Sequence, residues 1–303
     1  MQLRRIPKTN LDVSPVCLGT MTFGTPVAGP EAVRLVHYAL DQGVNFIDTA
    51  NMYEGYSRYI GSAGGVAEEI LAEALAGRRE RVVIATKVGM KVGAAPEDEG
   101  TSAAAVRKHL DRSLGRLKTD CVDLYYLHRP DPAAPLVETL GALADAIRAG
   151  KIRHYGVSNY SAAQLSELLA LADANRLPRP VIHQPPLSLL KPDLAVDLLP
   201  LCAREQIAVA PYQVLQGGLL TGKYRRGAAV AKDSRAAEKP PWIPKLDDAL
   251  FDRLDAIEAD ARREGLSMTA YAIRWALRQP AVVSPVIGVK RASQIDEAIA
   301  AAR

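Results

Sequence analysis

Short apolar runs rich in β-branched residues alternate along this chain with longer segments of helical period. The runs are Val16–Gly19, Val44–Asp48, Val82–Thr86, Val122–Leu127, Ile152–Val157, Val181–Gln184, Ile207–Pro211 and Val282–Ile287. Between them lie predicted helices such as Pro30–Gln42, Val66–Ala76, Ser102–Leu117, Leu136–Ala149 and Ser161–Ala174. Pro30-Glu31 opens the first of these, Ser161 is placed to cap another ahead of Gln164, and Gly150 after Arg148 marks a stop. Eight strands, each followed by helix, predict an α/β fold: a (β/α)8 TIM barrel. A doubly wound sheet is the alternative, but no GxGxxG follows the first run, which argues against its dinucleotide-binding form.

The ends of the pattern refine that picture. Leu3–Ile6 and Leu11–Val13, around Lys8-Thr9-Asn10, predict an N-terminal β-hairpin under the barrel floor. Gly89–Thr101 and Gln216–Lys245 exceed the usual loop length and follow strands. In a barrel both would rim the C-terminal face, where active sites lie. With no repeat and no linker, residues 1–303 read as one barrel domain.

Composition removes several function classes. The chain is 48% hydrophobic and 24% charged, with no run near the roughly 20 apolar residues of a membrane span. No apolar stretch follows the charged start, so no secretory signal is expected and the location is expected to be cytoplasmic. A net charge of +4 without a basic block does not suit nucleic acid. Cys17, Cys121 and Cys202 are too scattered for a metal site and odd in number, and read as buried free thiols.

Four polar residues stand at or just beyond the ends of consecutive predicted strands: Asp48, Tyr53 in the loop after it, Lys87 and His128. Any one could be structural, as a turn cap, a solvated lysine or a hydrogen-bonded core histidine. A barrel would aim all four at one mouth, and folding asks for none of them there. Their chemistry is complementary. A phenol titrates near pH 10 and needs help to give up a proton at neutrality. An adjacent ammonium favours the phenolate, a carboxylate holds that ammonium, and an imidazole can hydrogen-bond a carbonyl oxygen. The set would suit hydride delivery to a carbonyl.

The stretches VCLGTMTFG, GVNFIDTANMY, VVIATKVG, SLGRLKTDCVDLYYLHRPDP, KIRHYGVSNYSAAQL, GGLLTGKY and VIGVKRASQIDE resemble the aldo-keto reductase superfamily along nearly the whole length. The resemblance implies a barrel that binds extended NADPH/NADP+ without a Rossmann domain and acts on a small carbonyl substrate. It makes Tyr53 the general acid, with Asp48, Lys87 and His128 its partners. By the same resemblance Gly19, Thr20, Met21 and Asp48 would approach the cofactor. Ser158, Asn159 and Gln184 would hold the nicotinamide carboxamide, a reading preferred over Ser158-Asn159 as a helix cap ahead of Ser161. Tyr212 would stack on the ring, beside Gln213. Leu215, Gly218 and Lys223 would clasp the pyrophosphate, and Ser234-Arg235-Ala236 would reach the adenosine phosphate. Ile287, Gly288, Lys290, Gln294 and Glu297 would form the adenosine site, with Arg291 beside them.

The chain departs from that pattern at Gln213-Val214, where Ser-Pro is usual, and at Ala298, where Asn is common. The loop after Tyr53 is long. The chain stops at Arg303, so the expected C-terminal loop over the substrate pocket is short or missing. The alternative to an NADPH-dependent reductase is a cofactor-binding regulatory protein of the same fold, resembling potassium channel β subunits. A sugar hydrolase would need two carboxylates across the mouth, and only Asp48 stands there.

Overall fold

The computed structural model describes residues 1–303, the side chain of Pro240 excepted. Two short strands, β1 (Arg4–Arg5) and β2 (Asp12–Val13), pair antiparallel as the expected hairpin. Eight parallel strands follow: β3 (Cys17–Gly19), β4 (Phe46–Asp48), β5 (Val83–Val88), β6 (Val122–Leu127), β7 (Ile152–Ser158), β8 (Ile182–Gln184), β9 (Ala208–Val209) and β10 (Val286–Gly288). They are ordered β10-β3-β4-β5-β6-β7-β8-β9. The sheet closes where Val209 bridges Val282 in parallel, so the fold is a (β/α)8 barrel.

The last strand corrects the sequence reading. The run Val282–Ile287 is not one continuous strand. Its start joins β9 through the Val283 amide on Val209, and only Val286–Gly288 ladders with β3. Pro285 has no amide to give, which separates the two halves.

Helices cover the barrel, with bounds close to those expected: α1 (Gly29–Asp41), α2 (Val66–Ala74), α3 (Ala103–Leu117), α4 (Leu136–Arg148) and α5 (Ala162–Ala174). Ser161 and Gln164 form the capping box that their spacing predicts. The chain continues with α6 (Leu198–Glu205), a four-residue α7 (Arg235–Glu238), α8 (Asp248–Arg263), α9 (Met268–Leu277) and α10 (Ala292–Ala301).

Strand alternation sorts side chains into two cores. Cys17, Phe46, Val83, Ala85, Leu124, Tyr126, Ile182, Ala208 and Ala210 fill the barrel interior, and the hairpin's Ile6, Leu11 and Val13 close it from below. Leu18, Ile47, Ile84, Tyr125, Val157 and Val209, one residue out of phase, pack beneath the helices. A third cluster, including Leu219, Leu220, Tyr224, Phe251 and Met268, supports the long loop after β9. Cys17 and Cys202 are buried free thiols as expected, whereas Cys121 is only half-buried because it stands in the turn before β6.

Candidate active site

The alternation that fills the barrel also delivers the polar residues. Positions 46, 83, 85, 124 and 126 face inward, so the next positions of the same parity, Asp48, Lys87 and His128, face inward too, one layer nearer the C-terminal mouth. The register sets Gly19 beside Asp48, Lys87 beside Tyr126 and Ser158 beside Gln184.

At the centre Lys87 is fully buried and all three of its donors are used. Its Nζ donates to Asp48 Oδ1 at 2.5 Å, to the Thr49 carbonyl at 2.8 Å and to the Tyr53 hydroxyl at 3.2 Å. Asp48 Oδ2 accepts from Gln184 Nε2 at 2.8 Å. The Asp48 carbonyl receives the Thr20 amide and hydroxyl, each at 3.0 Å. Burial opposes the Lys87 ammonium, but Asp48 and the Tyr53 oxygen together hold its pKa above the ordinary lysine value.

Tyr53 corrects an expectation. The ammonium of Lys87 does favour the phenolate, yet burial outweighs it and Asp48 adds to burial, so the Tyr53 pKa is raised. The side chain is therefore a neutral phenol at pH 7. His128 meets its ring edge-on, with centroids 6.1 Å apart and planes at 81°. Burial pushes the His128 pKa well below the usual range, helped by the positive charges of Lys87, Arg129 and Arg58. Its Nδ1 is buried without a partner. A lone pair costs less there than an unmet N–H, which puts the imidazole proton on Nε2.

The residues expected at the nicotinamide form one hydrogen-bonded chain. Ser158 Oγ donates to the Gln184 carbonyl at 2.7 Å, Asn159 Nδ2 donates to Ser158 Oγ and to the His128 carbonyl, and the Tyr212 hydroxyl donates to Asn159 Oδ1 at 2.7 Å. The Tyr212 ring is half-buried and Asn159 exposed, so both remain open to the mouth. The helix cap itself comes from Ser161 rather than from Ser158-Asn159. Gln184 shares its amide with Asp48, a contact that sequence spacing does not reveal.

The remaining candidates lie at the ends of β3 and β10 and in the loop after β9. Gly19 and Thr20 lie buried at the end of β3, Met21 is half-buried after them, and Ile287 and Gly288 end the neighbouring β10. Gln213 is exposed in a left-handed backbone conformation. Leu215 accepts the Gly218 amide, Lys223 lies against Gly218, and the positive φ at Gly218 is what favours glycine there.

At the far end Arg235, Lys239 and Lys290 stand over the ring of Tyr56, with Arg235 4.7 Å from its centroid. Trp242 packs edge-on against that ring at 5.6 Å. The Lys223 pKa is lowered by burial and then by nearby Lys290, Arg291 and Arg235. These cations are not free of acids. Lys290 bonds Glu238 and the Asp233 carbonyl, and Arg291 pairs with Asp233 at 3.5 Å. Both acids come from the long loop after β9. Gln294 Oε1 accepts the Lys290 amide at 2.7 Å, and Glu297 accepts the Ser267 hydroxyl at 3.2 Å.

Residues 15–303 match the Aldo/keto reductase family. Protein tas of Escherichia coli is 36% identical over 97% of this chain and 91% of its own length. A probable voltage-gated potassium channel subunit beta of Arabidopsis thaliana is 34% identical over 98% of this chain and 90% of its own. The L-glyceraldehyde 3-phosphate reductase of Escherichia coli is 32% identical over 99% and 87%. Among solved structures, the glycerol dehydrogenase AKR11B4 from Gluconobacter oxydans superposes with a TM-score of 0.81 at 30% identity, covering 98% of this chain and 89% of that one. The chain belongs to the aldo/keto reductase family, among oxidoreductase relatives.

Proposed function

We propose that this protein is an NADPH-dependent carbonyl reductase in which Tyr53 gives the proton. The carrying observation is the buried Asp48–Lys87–Tyr53 hydrogen-bond chain, with a neutral His128 facing the phenol. The donor set suits a nicotinamide dinucleotide. Gln184 Oε1 and the second lone pair of Asn159 Oδ1 remain for a carboxamide, Tyr212 offers an open ring, and Lys223, Arg235, Lys290 and Arg291 converge where phosphates would lie. A reduced nicotinamide held there supplies hydride to the carbonyl carbon.

The chain's own residues account for the rest. The His128 Nε2–H and the Tyr53 hydroxyl can both point at the carbonyl oxygen and orient it. As negative charge grows on that oxygen, Tyr53 transfers its proton and becomes a phenolate. Lys87, already 3.2 Å away and held charged by Asp48, stabilises that phenolate. The Lys87 contact therefore matters more in the transition state than at rest, where the phenol is neutral. Because the proton comes from a group whose pKa lies above its ordinary value, reduction should persist into alkaline solution.

A second reading has support in the channel β-subunit relative: a cofactor-binding regulatory protein with little turnover. NADPH oxidation followed against a panel of aldehydes, sugars, diketones and aryl ketones separates the two. Turnover that disappears in Tyr53→Phe while NADPH still binds supports the reductase. NADPH binding with no turnover on any of them supports the regulatory reading.

A further inference from the structure

The exit of β5, beside His128, carries charge that the reduction of a neutral carbonyl does not use. The His128 amide bonds the Val88 carbonyl at 2.8 Å, and Gly89 packs against His128, a Cβ there lying 3.7 Å from the His128 Cβ. Two residues further, the Lys91 carbonyl accepts Arg58 Nη2 at 2.9 Å. Arg58 comes five residues after Tyr53 in the loop from β4, so the phenol's own loop folds back across the exit of β5 beside the imidazole.

Arg58 is poorly satisfied for a half-buried guanidinium. Its one hydrogen bond goes to a backbone carbonyl, its Nε is buried with no partner, and no carboxylate pairs with it among the described residues. Lys91 is similar, bonding only the Ala95 carbonyl at 3.0 Å. Arg129, directly after His128, is exposed and held by Glu99 at 2.6 Å. A guanidinium presents five donors in a planar fork that matches carboxylate or phosphate. One of them, Nε, is buried without a partner, and an unmet buried donor has a cost that an anionic ligand would offset. Burial is the main cause of the depressed His128 pKa, and Lys87, Arg129 and, least, Arg58 add to it.

We propose that Arg58, backed by Lys91, forms an anion subsite beside His128, and that the preferred substrates are carbonyl compounds bearing a phosphate or carboxylate a few atoms from the reacting carbon. The inference rests on the carbonyl-reductase reading for its reaction, but not for its binding step. Arg58 would hold the anion while the carbonyl oxygen lies between Tyr53 and His128. Orientation by a fixed charge then joins orientation by the two hydrogen bonds.

Matched pairs test it with NADPH: glyceraldehyde against glyceraldehyde 3-phosphate, and butanal against 4-oxobutanoate. The anionic member should lead in kcat/KM by about tenfold or more, the size of a charge-assisted contact. In Arg58→Met that ratio should fall toward one, and Arg58→Lys should retain part of it. Which pair shows the larger ratio tells phosphate from carboxylate. Calorimetric titration of glycerol 3-phosphate supplies a readout without turnover, with binding by the parent protein and none by Arg58→Met. Ratios near one in the parent, ratios unmoved in Arg58→Met, or no binding of glycerol 3-phosphate would each overturn the subsite. Binding that depends on Arg58 but comes with no turnover of any aldehyde would sink the reductase reading and leave the subsite standing.

Discussion

The barrel mouth and the rim around Lys290 are both built from charged residues, yet they are held by different physics. At the mouth Lys87 and Asp48 are almost fully buried, and every Lys87 donor has a fixed partner. At the rim Lys290 is a quarter exposed beside Glu238, and the Arg291–Asp233 pair is about two-thirds exposed at 3.5 Å. Buried charges are expensive, so each must be matched in place, and removing one strands its partner. Rim charges are solvated and screened, and can trade one partner for another. The mouth is therefore suited to chemistry that needs one geometry. The rim is suited to admitting and releasing a polyanion.

The largest effects should come from breaking the mouth. Lys87→Met strands Asp48, which keeps only the Gln184 amide at its side chain, and should cost about 3–5 kcal/mol of stability. Urea unfolding measures this, and adding Asp48→Asn should recover much of the loss. No similar recovery is expected for any pair at the rim. Tyr53→Phe keeps the ring and should fold normally, but it removes the proton source. A loss in kcat of about 10²–10⁴ is expected on the best substrate, with NADPH affinity nearly unchanged. Near-normal turnover in that variant would exclude Tyr53 as the acid.

A smaller effect tests whether burial, rather than the mouth's chemistry, sets proton affinities in the barrel wall. His183 faces outward from β8, fully buried, with Nε2 on the Tyr160 carbonyl at 3.1 Å and Nδ1 unpartnered. Burial lowers its pKa to about 4. The unfolded chain would take up a proton near pH 6.5, so between these values it binds more protons than the folded chain. The resulting stability is fully present above about pH 6.5 and is lost as pH falls toward 4, to the extent of about 3 kcal/mol. His183→Gln, which can keep a donor on Tyr160, should flatten that part of the stability profile. An unchanged slope would refute the assignment. Rim pairs should add little slope over the same range.

The barrel and its inward residues were legible because strand alternation is a strict two-residue code. Once Phe46, Val83 and Leu124 are placed in the core, Asp48, Lys87 and His128 must follow. What sequence could not supply was energy balance and long-range pairing. The raised pKa of Tyr53 depends on how deeply the mouth is buried, which no local motif states. Gln184 reaches Asp48 across 136 residues, and Lys290 meets Glu238 across 52. Arg58 was invisible for another reason, since it lies in a loop whose path only the Lys91 contact defines. The last barrel strand, β10, is shorter than the apolar run implies because Pro285 splits what hydrophobicity alone joins.

Cofactor choice at the rim should show the smallest effect and the sharpest contrast with the mouth. A 2′-phosphate carries nearly two negative charges and would be drawn to Arg235, Lys290 and Arg291. Arg235 has no carboxylate partner among the described residues, resting on the Tyr56 and Trp242 rings, and is the more available cation. Lys290 must loosen its hold on Glu238 before it can meet a phosphate, which reduces the gain. NADPH should still be favoured over NADH in kcat/KM, by about tenfold at low salt. The preference should shrink as salt rises, because these groups are solvated. Replacing Arg235 and Lys290 together by Ala should remove most of it and leave NADH use nearly unchanged. Glu238→Gln should move it the other way by a few-fold, since the lysine no longer has a competing acid. Neither change should alter Tyr53-dependent turnover at saturating cofactor, because the rim and the buried triad share no partner. If NADH served equally well in the parent, or if Glu238→Gln lowered the preference, the rim would not be reading the phosphate at all.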